Sequence, residues 1–199
     1  MLPPKGRLAP GHCLIVPNDH TPAIRQADDN VWTEVKNFMK CLIQMFNAQG
    51  KACVFMETAV ELRGHRRHAV MECVPVSQRE LEKAPGFFKK AMQEAESEWS
   101  THHAKAVIET SAKKGLRESI PANFPYLYVQ FNYGQGFVHV IDDESKFDKD
   151  LGRQVLVGLL RLPPEEMHKR HKLESAATQQ QWARDFISGW AAYDWTLQL

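Results

Sequence analysis

Two pairs of strand-length apolar runs decide most of what this chain can fold into. Residues 52–57 and 68–76 flank the polar stretch Leu62-Arg63-Gly64-His65-Arg66-Arg67, and residues 126–131 and 137–141 flank Asn132-Tyr133-Gly134-Gln135-Gly136. The runs are rich in Val, Phe, Tyr and Cys, and their length suits strands, so each pair reads as a β-hairpin. The second turn carries the glycines that a tight reversal needs.

Helical periodicity surrounds the hairpins. Asp28, Asp29 and Asn30 can each cap a helix, and Val31, Val35, Phe38, Met39, Leu42, Met45 and Phe46 then recur at three- and four-residue steps until Gly50. Ser77 and Glu80 have capping-box spacing, Pro85 can restart a helical segment, and Phe88, Met92 and Trp99 continue it to about residue 99. Residues 151–160 and 165–190 close the chain as helices, the second opened by Pro163-Pro164 and carrying Trp182, Phe186 and Trp190 at four-residue steps. Between the helix that ends near residue 99 and the second hairpin, residues 102–119 hold Lys105, Lys113, Lys114 and Arg117 in a weak pattern that predicts a short helix and a linker.

The expected class is therefore α+β: an antiparallel sheet with helices over residues 1–100, followed by a smaller α+β element over residues 101–199, the two behaving as one compact unit. An earlier apolar run, Cys13-Leu14-Ile15-Val16, follows Leu2-Pro3-Pro4-Lys5-Gly6, which reads as the tail of a strand plus a turn. A longer parent protein is the expectation.

Charge and cysteine content narrow the function classes. Lys and Arg number 25 against 24 Asp and Glu, a net charge of +1, so there is no long-range field of the kind that marks a general nucleic-acid binder. Any RNA contact has to be local. Cys13, Cys41, Cys53 and Cys73 sit in apolar runs without CxxC pairing, which suits packed thiols in a reducing compartment. No run approaches the roughly 18 apolar residues of a membrane span, and no signal-peptide layout opens the chain, so no membrane partner is expected.

Several motifs carry a resemblance. The stretch Gly11-His12-Cys13-Leu14-Ile15-Val16-Pro17-Asn18-Asp19-His20 resembles the strand of histidine-triad proteins, and His68-Ala69-Val70-Met71-Glu72-Cys73-Val74-Pro75 falls in register with their His-x-His-x-His strand. Farther on, residues 124–131, residues 136–141, Trp190 and Tyr193-Asp194-Trp195-Thr196 resemble the second block of the CwfJ family, with Ala192 where a proline is expected. The combined likeness runs from Gly11 to Thr196 and points to the C-terminal region of CwfJ-type splicing factors, a degenerate histidine-triad fold. The His-x-Val-x-Glu version looks like the family branch that joins the spliceosome late.

The resemblance has chemical consequences. In triad enzymes the middle histidine attacks a phosphate through a ring nitrogen, and Val70 has no lone pair with which to do so. Glu72, at the third position, would bring negative charge toward a polyanion. The hydrogen-bonding turn that cradles phosphate in those enzymes is replaced here by Arg63-Gly64-His65-Arg66-Arg67. A non-enzyme is the expectation, with no catalytic residue and with Arg63, His65, Arg66 and Arg67 as phosphate-contacting candidates.

What the resemblance implies is a nuclear factor of the intron-lariat spliceosome, acting in late splicing, lariat turnover or disassembly. Its implied partners are spliceosomal proteins, intron lariat RNA or snRNA, and the lariat debranching enzyme. Two alternatives stand beside it: a nucleotide hydrolase or transferase of the triad type using His65, His68 or His139, and a protein adaptor without RNA contact.

Other chemistry has weaker support in the residues. His102-His103 and the His168/His171 pair lack the converging ligands of a zinc site. No cofactor is expected of this stretch, although in some relatives of the triad class the residue matching His68 binds zinc with upstream cysteines, which would make zinc structural in a full-length protein. Cys53 or Cys73 as a thiol nucleophile is less favoured than an apolar strand thiol, and His139 is favoured as a core histidine. Tyr126, Tyr128, Phe131, Tyr133 and Phe137 are candidates for stacking on RNA bases, although most of them are expected to pack a sheet.

Overall fold

The computed structural model describes residues 1–64, 67–99, 107–168 and 171–198. Strand β1 (Cys13–Ile15) leads through a 3-10 turn, Ile24–Gln26, into helix α1 (Asp29–Ala48). The Asp28 side chain accepts from Val31 N at 2.8 Å and so satisfies one of the donors that a helix start leaves open. Strands β2 (Lys51–Ala59) and β3 (Met71–Ser77) pair antiparallel, as the first pair of apolar runs predicts.

Helix α2 (Gln78–Trp99) starts on a reciprocal cap in which Glu80 N donates to Ser77 Oγ and Ser77 N donates to Glu80 Oε2, at 3.2 and 2.7 Å. It runs on through Pro85, which gives up one N–H donor without ending the helix. Strand β4 (Val107–Thr110), helix α3 (Leu116–Ser119), strands β5 (Tyr126–Phe131) and β6 (Gln135–Val140), and helices α4 (Leu151–Leu159) and α5 (Ala176–Trp190) follow.

Two sequence expectations change here. The linker expected over residues 102–119 contains β4, an edge strand of four residues too short for its alternation to stand out beside the lysines. The helix expected over residues 165–190 is broken: a 3-10 turn, Pro164–Met167, is followed by non-helical residues 171–175 before α5 begins. Ser175 sets that start by accepting from Thr178 N at 3.1 Å, so a hydroxyl cap outweighs the helical spacing upstream.

All six strands form one antiparallel sheet in the order β1-β3-β2-β5-β6-β4. The second hairpin does not stack on the first; β5 hydrogen-bonds to β2 edge to edge, with Met56 opposite Val129. Alternation along the strands then separates two cores. Phe55, Cys73, Tyr126 and Val138 face α1, the 3-10 turn before it and the C-terminal aromatics Phe186 and Trp190, whereas Val54, Val74, Leu127 and Phe137 face α2 and α4. Gly11 makes the close approach on the first side: its φ of +88° suits glycine, and a Cβ there would sit 2.8 Å from the Phe46 ring. Among the described residues no helix is long and apolar enough to cross a membrane.

Candidate functional site

The antiparallel register of β1 and β3 sets Leu14 opposite Glu72, and that of β2 and β3 sets Met56 opposite Glu72. Residues opposite one another share a face, so Glu72 belongs to the side of the sheet that α2 and α4 cover. His12, two residues before Leu14, shares that face. It is buried at 2% exposure, and its Nε2 lies 3.2 Å from Glu72 Oε2. The contact is bent too far for a full hydrogen bond, so it is a close polar approach.

The tautomer of His12 follows from its other nitrogen. Leu8 N donates to His12 Nδ1 at 3.2 Å, which requires a lone pair there and leaves the ring proton on Nε2, facing Glu72. Neither nitrogen keeps a free lone pair. Sequence reasoning read this segment as the start of a strand and overlooked His12; its position two residues from a strand residue facing Glu72 was the available signal.

His68 and Val70 precede β3 in non-helical backbone, both half-buried. His68 Nε2 lies 2.8 Å from the Pro17 carbonyl, an acceptor, so this nitrogen carries the proton. The His20 ring stands edge-on to His68, with centroids 5.8 Å apart, and Ala69 N donates to Thr21 O at 2.6 Å. The Pro17–Thr21 loop is thereby tied against the segment that carries His68 and Val70. Val70, expected from the resemblance at the central position, presents an isopropyl group.

The basic loop is divided. Arg63 is exposed at the hairpin tip, whereas Arg67 is half-buried and donates through Nη2 to the Thr58 carbonyl. His65 and Arg66 lie outside the described residues. Arg67 also acts electrostatically on Glu57, a carboxyl that sequence reasoning missed. Glu57 is 1% exposed, accepts from Ile24 N at 2.9 Å and accepts from the Tyr126 hydroxyl. Burial pushes its pKa up to about 7, against the pull of the Tyr126 and Ile24 hydrogen bonds and the charge of Arg67. A lone acid inside an apolar strand run was the signal, since such a group has to find donors.

The remaining candidates pack. Cys13 and Cys73 are cross-strand partners and Cys53 lies beside Cys73; all three are buried, and burial followed by the neighbouring thiols raises the Cys73 pKa well above the ordinary range. A thiolate nucleophile is disfavoured there. His139 is 4% exposed and stacks on Phe147 at 5.7 Å, in keeping with a core histidine. Of the five aromatic stacking candidates, Tyr126, Tyr128, Phe131 and Phe137 are buried and Tyr133 is 54% exposed. His102 and His103 lie outside the described residues, and His171 meets Arg153 Nη2 at 2.9 Å and Glu166 Oε2 at 3.4 Å. Among the described residues no group of three or more His, Cys, Asp or Glu is placed to hold a metal ion.

Comparison with known proteins gives this geometry a family. Residues 1–89 match the family described as protein similar to CwfJ C-terminal, and residues 98–196 match protein similar to CwfJ C-terminus 2. Human CWF19-like protein 2 is 37% identical over 195 residues, 98% of this chain and 21% of that protein. The pre-mRNA-splicing factor cwf19 of Schizosaccharomyces pombe is 34% identical over 205 residues, 98% of this chain and 31% of that protein. Zinc finger CCCH domain-containing protein 64 of Arabidopsis thaliana is 27% identical over 191 residues, covering 96% of this chain and 31% of that protein. The chain thus spans about a fifth to a third of these relatives. With both halves matched in order along the sequence, the chain belongs to the CwfJ C-terminal family.

Proposed function

We propose that this chain is a non-catalytic RNA- and protein-binding module of a nuclear pre-mRNA splicing factor, working on the intron-lariat spliceosome in late splicing, lariat turnover or disassembly. The splicing role is supported by relatives named as splicing factors. Loss of catalysis is supported by one observation above the rest: at the expected central triad position stands Val70, an isopropyl group without a ring nitrogen. A triad nucleophile needs a free ring nitrogen aimed at phosphorus.

RNA contact at the hairpin tip is supported by the exposure of Arg63, whose guanidinium fork suits phosphate. Protein contact is favoured by a separate apolar surface on and after α5, where Ile187 and Leu197 are 59% and 75% exposed. Spliceosomal proteins or the lariat debranching enzyme are the partners to test there, with capture repeated after RNase treatment.

Incubation with an adenylylated substrate followed by intact mass measurement tests the first half. No covalent nucleotidyl adduct is expected, and an adduct on any histidine overturns the non-catalytic reading. For the second half, replacing Arg63, His65, Arg66 and Arg67 with Ala should weaken lariat RNA binding and flatten its salt dependence by roughly 0.7 for each phosphate no longer neutralised. Unchanged binding removes the loop from the RNA site.

A further inference from the structure

At the other end of β2 from the basic hairpin tip lies a second concave site. The pairing of β2 with β5 sets Ala59 beside Tyr126 and Val54 beside Phe131, so the tip after β2 and the turn after β5 fall at opposite ends of the sheet. Beside that turn, between α1 and the loop that leaves β4, is a cavity of about 270 Å³. Its floor includes Met39 and Ile43, the Tyr133 ring contributes a wall, and Lys36, Lys40 and Lys113 line it from exposed positions.

Three cations converge on this one cavity in a chain whose net charge is only +1. Some of the other cations meet acids: Lys89 meets Glu109, Arg117 meets Asp29 and Lys149 meets Glu61. Among the described residues no carboxylate lies within ion-pair distance of Lys36, Lys40 or Lys113. Glu118 also lines the cavity, its Oε2 accepting from Gly115 N at 2.9 Å, so the lining sets three cations against one carboxylate. Lys36 and Lys40 stand one helical turn apart on α1, where like charges repel unless an anion lies between or above them.

The aromatic wall is held in place. Asn132 N donates to Cys53 O at 2.9 Å and Cys53 N donates to Asn132 Oδ1 at 2.8 Å, which pins the turn to β2. On its other side the turn lies so close to Ala112 that a Cβ on Gly134 would sit 3.0 Å from it. Tyr133 therefore projects from a rigid mount, 54% exposed, with its hydroxyl 3.4 Å from the Lys40 carbonyl. Of the other two aromatic residues lining the cavity, Tyr128 is buried, and Trp32 is already engaged by Arg117 at 4.6 Å and Lys36 at 5.6 Å from its ring.

We propose that this cavity binds one nucleotide of single-stranded RNA, with its base against Tyr133 and the adjoining phosphates on Lys36, Lys40 and Lys113. A π-face beside a cluster of unpaired cations is the chemistry by which single strands are held without sequence readout. A duplex keeps its bases stacked and presents none to such a cavity. The proposal rests on the RNA-binding half of the function proposed above and places a second contact far along the sheet from the hairpin tip.

The test uses the whole chain and a fluorescently labelled single-stranded RNA, with anisotropy followed across a salt series. The Lys36→Ala/Lys40→Ala/Lys113→Ala variant should bind at least about tenfold more weakly, with a salt slope shallower by roughly 2, from about 0.7 per phosphate. Tyr133→Ala should weaken binding by about fivefold or more with the slope unchanged, and Tyr133→Phe should restore it, because stacking needs the ring and not the hydroxyl. Circular dichroism melts confirm that each variant folds, and Tyr133→Leu, which keeps apolar bulk without a π-face and should weaken binding likewise, keeps the test decisive if Tyr133→Ala does not fold.

If the wild type binds RNA and only the variant lacking Arg63, His65, Arg66 and Arg67 is weakened, this inference falls and the hairpin assignment stands. Weaker binding in the cavity variants alone upholds the inference and removes the hairpin from the RNA site. A lysine effect without a Tyr133 effect, or equal competition by inorganic phosphate, a nucleoside monophosphate and an acidic peptide, overturns the single-nucleotide site. Absence of RNA binding by the wild type overturns both.

Discussion

Under α1 and the 3-10 turn before it, the sheet buries a carboxyl, two phenols and three thiols among its apolar side chains. Under α2 and α4 the centre is hydrocarbon and thioether, from Val54, Met56, Val74, Phe88, Met92, Leu127 and Leu156, with the imidazoles of His12 and His139 toward either side. One face is specified by hydrogen bonds that have to be satisfied together, the other by volume. The two should fail differently. Loss of a polar partner strands the groups that depended on it, whereas loss or gain of a methyl group is felt in proportion to the space around it.

The largest difference is expected from Glu57→Ala. It leaves the Ile24 N–H and the Tyr126 hydroxyl buried without their acceptor, and it opens a cavity as well. A loss of about 3–5 kcal/mol is expected, the range for breaking a buried charged or strongly hydrogen-bonded group by removing one side of it. Urea denaturation measures it. A loss below about 1 kcal/mol, no more than an ordinary exposed substitution or cap costs, would break the comparison.

The same carboxyl should make the first face sensitive to pH. Burial raises its folded pKa from 4.5 to about 7, so across that window the native state holds a proton that the unfolded chain has released. Stability therefore falls as pH rises from about 4.5 to about 7 and then levels off. At 1.36 kcal/mol per unit, the fall amounts to roughly 3 kcal/mol at most. In Glu57→Gln that component should be gone. Thermal melts at a series of pH values read both slopes, and a wild-type melting temperature that rises through the window would reverse the assignment.

How much of this was legible in the sequence depended on the kind of signal. Period and capping chemistry are local, so α1, the start of α2 and both hairpins could be read from residues such as Asp28, Ser77 and Glu80. The edge-to-edge pairing of β2 with β5 could not, because it joins residues about 70 positions apart and no local pattern encodes it. The Glu57–Tyr126–Ile24 group was hidden for the same reason. Val70 and Glu72 drew notice only through the family resemblance, whereas the approach of His12 to Glu72 required the register of β1 on β3. Arg67 was read as free to meet phosphate, yet Thr58 holds one end of its guanidinium, an arrangement that exists only once the hairpin closes.

The second face can be probed through two glycines of one helix. A Cβ on Gly152 would fall well inside van der Waals contact of Met56 Sδ, whereas one on Gly158 would meet nothing within 4 Å. Alanine favours a helix over glycine by about 0.8–1 kcal/mol, and overpacking a tight core costs about 1–3 kcal/mol. Gly152→Ala should therefore be neutral to destabilising by about 2 kcal/mol, and Gly158→Ala stabilising by somewhat under 1 kcal/mol. Equal effects of the same sign would mean that α4 does not seat on Met56 as tightly as the volume argument requires.

The smallest effect expected is at the start of α2. Ser77→Ala removes the acceptor of Glu80 N and should cost about 1 kcal/mol, within the usual 0.5–2 for a cap. Helix α2 covers the hydrocarbon face, and Glu57 lies on the other side of the sheet, sharing no partner with Ser77. Changes at sites without shared partners add to within about 0.5 kcal/mol. The Ser77→Ala/Glu57→Gln double variant should accordingly lose the sum of the two single losses, and Ser77→Ala alone should keep the wild-type fall in stability between about pH 4.5 and 7. A coupling well above 0.5 kcal/mol would show that the two faces are not independent, because strain at the α2 cap would then have to travel through β2 to the buried carboxyl.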